Sequence, residues 1–139
     1  MAGIRPIGCK PSCLQYTVMI IDDSKTARAV LKQMLLSMQF KVIEEAEHGE
    51  IAIHKIKTQR LRPDFIFIDM EMPMMNGVDA IRLIKPLVPD AKIVMVTAHS
   101  NKDLVMELIS LGGCGFIKKP YDRDTIVKKL TSIIRGSCE

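Results

Sequence analysis

Three acidic residues follow two short apolar segments of the chain. Asp22 and Asp23 come directly after residues 18–21, and Asp69 comes directly after residues 65–68. Apolar runs of this length, rich in β-branched and aromatic residues, are typical of buried strands. If the two strands pair in parallel, the three acids meet at one edge of the sheet, where they cannot all stay ionised without a cation. The spacing therefore indicates a metal site beside a carboxylate, and chemistry on an anionic substrate.

The composition restricts the classes of function. The chain has 139 residues, which suits one domain, and it is 47% apolar but only 4% aromatic, so aliphatic packing must dominate the core. The net charge of +4 is spread along the chain without a basic stripe, and we expect no direct nucleic-acid partner. No apolar stretch approaches the roughly 18 residues of a membrane span, and the N-terminus has no signal-peptide core. We therefore expect a cytoplasmic protein without membrane insertion.

Segments typical of strands and of helices alternate after residue 16. The predicted strands cover residues 17–22, 40–44, 65–69, 91–97 and 114–117. Helical periodicity follows each of them, with Ser24, Ser100 and Asp122 at the starts of three helices. Residues 1–16 contain Gly and Pro without periodicity, so we predict a flexible N-terminal extension and one domain over residues 17–137. Five strands alternating with five helices predict an α/β fold, with a parallel sheet covered by helices on both faces.

Sheets of this kind bind ligands at the carboxyl ends of their strands. Thr97 and Lys119 follow or end the fourth and fifth strands, so they lie at the same predicted edge as the three acids. Each residue alone is ordinary, because Asp often caps a helix, Thr ends many strands and Lys before Pro is often a solvated turn. Their coincidence at one edge favours a functional site.

These residues carry a resemblance to a known family. From residue 17 to about 135 the sequence resembles the receiver domain of two-component response regulators, through Asp22-Asp23, segment 69–77, Thr97-Ala98 and Lys119-Pro120. Segment 69–77 fits the family loop Asp-x-x-Met-Pro-x-Met-Asp/Asn-Gly at every fixed position. The resemblance implies a doubly wound, flavodoxin-like parallel sheet of five strands in the order 2-1-3-4-5, with five helices.

The resemblance also implies roles around a magnesium ion. Asp69 would accept a phosphoryl group. Asp23, Asp69 and the backbone carbonyl of Glu71 would bind Mg²⁺ directly, and Asp22 would act through a bound water. Mg²⁺ prefers oxygen ligands and usually keeps several waters, so this ligand set suits it.

A second group of residues would contact the phosphoryl group or respond to it. Thr97 and Ala98 would bind phosphoryl oxygens, Lys119 would pair first with Asp69 and then with the phosphoryl group, and the Lys119-Pro120 bond would be cis. Phe116 falls at the family's rotating aromatic position, although a fixed core residue at a strand end remains the alternative. At the rim, we hypothesise that Glu71 and His99 adjust water access and the rate of dephosphorylation.

The implied function is a stand-alone receiver that switches a binding face formed by the fourth helix, fifth strand and fifth helix. The donor would be a sensor histidine kinase, a histidine phosphotransfer protein or a small phosphodonor, and a downstream output protein would bind the switched face in chemotaxis-type signalling or a phosphorelay. Only four residues follow Arg135, so we expect no fused output domain. We expect a monomer or weak dimer that is no enzyme beyond its own phosphorylation and slow dephosphorylation.

Two alternatives remain open from the sequence. A Mg²⁺-dependent phosphatase would also use Asp69 as its nucleophile, and Glu71 has the spacing of its general acid, but no insertion is long enough for a substrate-enclosing cap. The second alternative is that the chain is a receiver fragment of a larger DNA-binding regulator.

Overall fold

The computed structural model describes residues 6–99 and 102–136. In this part of the chain five strands alternate with five helices. The strands are β1 (Thr17–Ile21), β2 (Lys41–Ala46), β3 (Phe65–Asp69), β4 (Lys92–Thr97) and β5 (Gly115–Lys118). The helices are α1 (Lys25–Ser37), α2 (Gly49–Gln59), α3 (Gly77–Ile84), α4 (Lys102–Ser110) and α5 (Arg123–Ile134). No helix within the described ranges is long and apolar enough to cross a bilayer.

The strands form one parallel sheet in the order β2-β1-β3-β4-β5, which confirms the predicted fold. The register fixes which strand ends meet. Ile21 of β1 lies opposite Ile68 of β3, and Asp69 lies opposite Val96 of β4. The residues after β1 therefore reach the same level as Asp69, which places the predicted acids side by side.

Successive side chains of a strand point to opposite faces of the sheet, so the strands contribute to two separate cores. One face packs against α2, α3 and α4 and includes Met19, Ile21, Ile66, Ile68, Ile93 and Met95. The other packs against α1 and α5 and includes Val18, Ile20, Phe65, Phe67, Val94 and Val96. All five residues of β3 are buried, as expected for the middle strand of a sheet covered on both sides. This fixed middle strand carries Asp69.

The ends of several elements differ from the sequence prediction. Strand β2 covers Lys41–Ala46, whereas the sequence predicts residues 40–44, so the strand continues past Glu44 through a second glutamate at position 45. It is an edge strand, so these side chains reach solvent and pair with cations: Glu44 with Lys55 at 3.1 Å and Glu45 with Arg28 at 3.2 Å. The predicted cap of the last helix is confirmed, since Asp122 accepts a hydrogen bond from the Thr125 amide. Ser100 lies outside the described residues.

Residues 6–16, here called the arm, contact the domain near the amino ends of the strands, at the end of the sheet opposite the acids. The Gly8 amide donates to the carbonyl of Met38 at 2.8 Å, and the Tyr16 amide donates to Gly8 at 2.7 Å. The Lys10 ammonium lies 3.2 Å from Asp64, which precedes β3. The described part of the segment that we predict as a flexible extension thus makes specific contacts with the domain.

The arm also adds an aromatic side chain to the core. The Tyr16 ring lies 5.5 Å from Phe65 and 6.1 Å from Phe40, and these two phenylalanines are 5.8 Å apart, measured between ring centroids. Gly8 approaches the turn between α1 and β2 so closely that an added Cβ would lie 2.3 Å from the Phe40 nitrogen. Position 8 therefore requires glycine, because a side chain there would clash with the turn that the arm contacts.

Candidate functional site

The three predicted acids converge at the carboxyl ends of β1 and β3. Asp22, Asp23 and Asp69 each offer an oxygen within 4.8 Å of the others. Asp22 and Asp69 are buried, whereas Asp23 is exposed. The Asp22 side chain is also held in place by the backbone, because its Oδ1 accepts a hydrogen bond from the Ser24 amide at the start of α1. Three carboxylates with oxygen donors this close form a ligand set suited to a hard divalent cation.

One ammonium group enters this acidic cluster. Lys119 Nζ lies 3.1 Å from Asp69 Oδ1 and 3.5 Å from Asp22 Oδ2. Burial alone would lower the pKa of Lys119, but its hydrogen bond to Asp69 and the charges of Asp22 and Asp69 outweigh burial and raise it. The lysine is therefore charged and partly neutralises the cluster.

The backbone positions this lysine on the loop after β5. The Lys119 amide donates to the carbonyl of Thr97 at 2.7 Å, and the following bond to Pro120 is cis, as the resemblance implies. Lys118 pairs with Thr97 in the register of β4 and β5. The ends of both strands are thus tied together beside Asp69.

Asp69 remains incompletely neutralised by its neighbours. Burial and then the charge of Asp22 raise the pKa of Asp69, and the hydrogen bonds from Lys119 and the Glu71 amide only partly oppose them. An ionised Asp69 in this pocket is therefore destabilised relative to one in water. A bound cation would remove this repulsion, so the residues present fit the magnesium ion that the family implies.

The Glu71 side chain reaches across the site to the end of β4. Its Oε1 lies 3.4 Å from the Thr97 hydroxyl and 3.3 Å from the Ala98 amide. Its Oε2 lies 3.5 Å from His99 Nε2, which brings together the rim pair suggested by the sequence. The sequence did not indicate the contacts with Thr97 and Ala98, since the resemblance gives a role only to the Glu71 carbonyl. The position of an acid two residues after Asp69 was the one available signal.

The loop between Asp69 and α3 is constrained by close packing. An added Cβ at Gly77 would lie 2.7 Å from the Asp69 carbonyl oxygen, so glycine is needed there for space. The side chain of Asn76 accepts from the Asp79 amide and begins α3, and Met72 is buried under the loop. These contacts give a physical reason for the fixed Met, Asn and Gly positions of segment 69–77.

Phe116 lies on β5, paired with Met95 of β4. Its side chain is half-buried against the core on the α2, α3 and α4 side of the sheet. This position is compatible with both sequence interpretations, a rotating aromatic and a fixed residue at a strand end.

Residues 18–131 match the family model described as the response regulator receiver domain. The chain belongs to this family. Receiver domains bind Mg²⁺ at their acidic pocket and are signalling proteins rather than classical enzymes. CheY-like receivers interact with kinases and output proteins.

Several relatives are chemotaxis proteins, and others are transcriptional regulatory proteins. The chain is 36% identical to chemotaxis protein CheY of Thermotoga maritima, over 84% of this chain and 95% of that protein. It is 30% identical to CheY of Treponema pallidum, over 94% of this chain and 90% of the relative. Among solved structures, the CheX-CheY-BeF₃-Mg²⁺ complex of Borrelia burgdorferi matches at a TM-score of 0.88 and 29% identity, over 94% of this receiver and 98% of the matched chain. The match to the Treponema protein spans 130 residues of this 139-residue chain, which is more than residues 17–139 contain, so it includes part of the N-terminal segment.

Proposed function

We propose that this chain is a stand-alone, phosphorylation-controlled binding switch in which Asp69 accepts the phosphoryl group. The position of Asp69 carries the proposal: a buried carboxylate on the middle strand, with its oxygen close to two further acids and 3.1 Å from the Lys119 ammonium. A nucleophilic oxygen beside a cation-binding cluster suits phosphoryl transfer, which depends on alignment and charge neutralisation. The chemotaxis relatives support a signalling role of this kind.

The transfer step follows from the atoms around Asp69. A carboxylate oxygen of Asp69 attacks the phosphorus of the donor, the bond from phosphorus to the leaving group breaks, and its electron pair departs with the leaving group. Lys119 then pairs with the phosphoryl oxygens. The Thr97 hydroxyl and the Ala98 amide each donate to one of these oxygens.

Four residues would hold the metal. Asp23, Asp69 and the Glu71 carbonyl would bind Mg²⁺ directly and Asp22 through a water, and the ion supplies positive charge against the transferring group. The product is an aspartyl phosphate, a hydrolytically labile mixed anhydride, which suits a timed signal.

The output would be a change in the face formed by α4, β5 and α5. Thr97 moves toward the phosphoryl group, Phe116 turns inward behind β4, and the packing of this face shifts between two states. Met106 and Ile109 of α4 are 59% and 46% exposed, so this face already presents apolar side chains to a partner. The partners would be a cytoplasmic histidine kinase or phosphotransfer protein and an output protein, as the CheY complex with CheX illustrates for the Borrelia protein.

Phosphorylation by a small donor tests the acceptor. Incubation with Mg²⁺ and acetyl phosphate, followed by intact mass measurement, should give one phosphoryl adduct that is labile in base. Asp69→Asn should abolish the adduct, whereas Asp90→Asn, an exposed aspartate outside the site, should retain it. An adduct that persists in Asp69→Asn, or no adduct on the unmodified chain, would contradict the proposal.

The phosphatase alternative makes a different prediction in the same assay. Repeated release of phosphate from varied phosphomonoesters would favour it over the switch. The Glu71 carboxylate, which would serve as general acid, contacts Thr97 and Ala98, so its observed position does not favour that enzyme.

A further inference from the structure

We infer that the Glu71 carboxylate occupies the phosphoryl-oxygen position of the resting site and must leave it before Asp69 is modified. This inference rests on the proposed function, because it assigns the Thr97 hydroxyl and the Ala98 amide as the phosphoryl donors. Both groups lie within 3.4 Å of Glu71 Oε1 in the resting structure. An anionic side-chain oxygen therefore takes the two neutral donors that an incoming anion needs.

The burial of Thr97 explains why an occupant is present. Thr97 is fully buried, and a buried hydroxyl group needs a hydrogen-bond partner. Its oxygen accepts from the His99 amide at 3.1 Å, which leaves its proton for an acceptor. Glu71 supplies that acceptor from the neighbouring loop, so the Thr97 hydroxyl already has a partner before any phosphoryl group arrives.

The same contact opposes phosphorylation in two ways. It reduces the fraction of molecules in which the donors are accessible, and apparent affinity falls in proportion to that fraction. It also adds a fourth carboxylate to a site that already has Asp22, Asp23 and Asp69 around one lysine. A phosphodonor is itself an anion, so the position of Glu71 disfavours its approach.

The contact is weak enough to be released. The Glu71 side chain is 49% exposed, and its partner His99 is 77% exposed at 3.5 Å, a distance at which an exposed pair contributes little. Rotation of Glu71 into solvent would clear the two donors without moving the backbone. Glu71 is thus a positioning residue that restrains Asp69 chemistry through Thr97 and Ala98.

Two substitutions at Glu71 separate its charge from its contacts. Glu71→Ala removes both and should raise the rate of Asp69 phosphorylation by acetyl phosphate, and the affinity for beryllofluoride with Mg²⁺, by about three- to tenfold. Glu71→Gln keeps an oxygen acceptor and should have a smaller effect. Glu50→Gln is the control, since Glu50 is exposed on α2, outside the face formed by α4, β5 and α5, and it should leave both quantities unchanged.

A readout without any phosphodonor tests the contact itself. The amide resonance of Ala98 in the resting protein should shift in Glu71→Ala and not in Glu50→Gln. An unshifted Ala98 amide would overturn the inference, and so would a rate in Glu71→Ala equal to or below that of the unmodified chain. If the unmodified chain acquires no adduct at all, the proposed function fails instead, and the Ala98 measurement remains interpretable.

Discussion

Asp69 combines burial and charge in a single side chain. Its pKa is raised by burial and then by the charge of Asp22, while Lys119 and the Glu71 amide oppose the shift. The features that would suit Asp69 to act as a nucleophile beside a cation therefore destabilise the ionised carboxylate when no cation is bound. Function and stability conflict at this residue.

This conflict predicts a pH-dependent gain from Asp69→Asn in the absence of metal. A carboxyl group whose pKa is raised on folding contributes stability below its unfolded pKa, near pH 4, and that contribution is lost as pH rises through the folded pKa. The variant should therefore unfold at higher temperature than the unmodified chain at neutral pH with a chelator, and the difference should shrink in acid. Thermal unfolding across pH measures this.

The control for that prediction is Mg²⁺ itself. Ligand that binds only the folded state stabilises it, so added Mg²⁺ should stabilise the unmodified chain more than Asp69→Asn. An Asp69→Asn variant that is less stable than the unmodified chain at neutral pH without metal would show that the ion pair with Lys119 outweighs burial.

The sequence predicted which residues converge at the candidate site better than it predicted their contacts. Asp22, Asp69 and Thr97 stand at strand ends, and parallel pairing alone brings strand ends together. The position of the Glu71 side chain depends on its rotamer, which brings the carboxylate to Thr97, 26 residues away in the chain. Spacing within a motif does not determine such a choice.

Helix α5 depends on a cap with a measurable pH response. Asp122 accepts hydrogen bonds from the amide and then the hydroxyl of Thr125, and these bonds lower its pKa. A lowered pKa contributes stability above the unfolded pKa, near pH 4, and that stability is lost as pH falls through the folded value. Asp122→Asn, which caps without titrating, should therefore show a shallower loss of stability in acid.

Denaturant midpoints between neutral and acid pH would measure this effect, with Asp122→Ala as the comparison. The alanine variant should be less stable at neutral pH because it removes the cap. Parallel pH curves for Asp122→Asn and the unmodified chain would contradict the assignment.

The loop after Asp69 contains an unfavourable backbone conformation at Met74. Its φ is 69°, its side chain is 79% exposed, and the flanking Met75 amide donates to Pro73 across a tight turn at 2.8 Å. Residues other than Gly, Asn and Asp rarely adopt this backbone region. Met74→Asn should raise the free energy of unfolding by about 0.5–1 kcal/mol, measured by denaturant titration.

A methionine in ordinary helical geometry provides the contrast. Met106 on α4 is 59% exposed, and Met106→Asn should lower the free energy of unfolding by roughly 0.5 kcal/mol because Asn disfavours helix interiors. Equal effects of the two substitutions would indicate that the conformation at position 74 carries no cost. No sequence pattern predicted this strain, since Met is not a typical turn residue.

At the scale of the molecule, the arm packs against the rest of the domain through Tyr16. Tyr16 contacts the rings of Phe40 and Phe65 and thereby closes one end of the core between the sheet, α1 and α5. Tyr16→Ala should lower the free energy of unfolding by about 2 kcal/mol through lost packing, measured by denaturant titration.

An exposed residue of the arm, Leu14, serves as the control for the packing of Tyr16. Leu14 is 66% exposed, and Leu14→Ala should change stability by less than about 0.5 kcal/mol. If Tyr16→Ala proves as stable as Leu14→Ala, the arm does not contribute to the core. Local sequence patterns do not predict the contacts of the arm, because these contacts join residues far apart in the chain, such as the hydrogen bond from Gln15 to the carbonyl of Gln39, 24 residues away.

The arm leaves the domain at the end of the sheet remote from Asp69, and it carries an exposed free thiol at Cys13. A dye, spin label or solid support attached through that sulfur would therefore sit far from the reactive edge. Immobilised in this orientation, the molecule would present its acidic pocket and the α4 face to solution, which suits biosensor measurements of donors and output proteins.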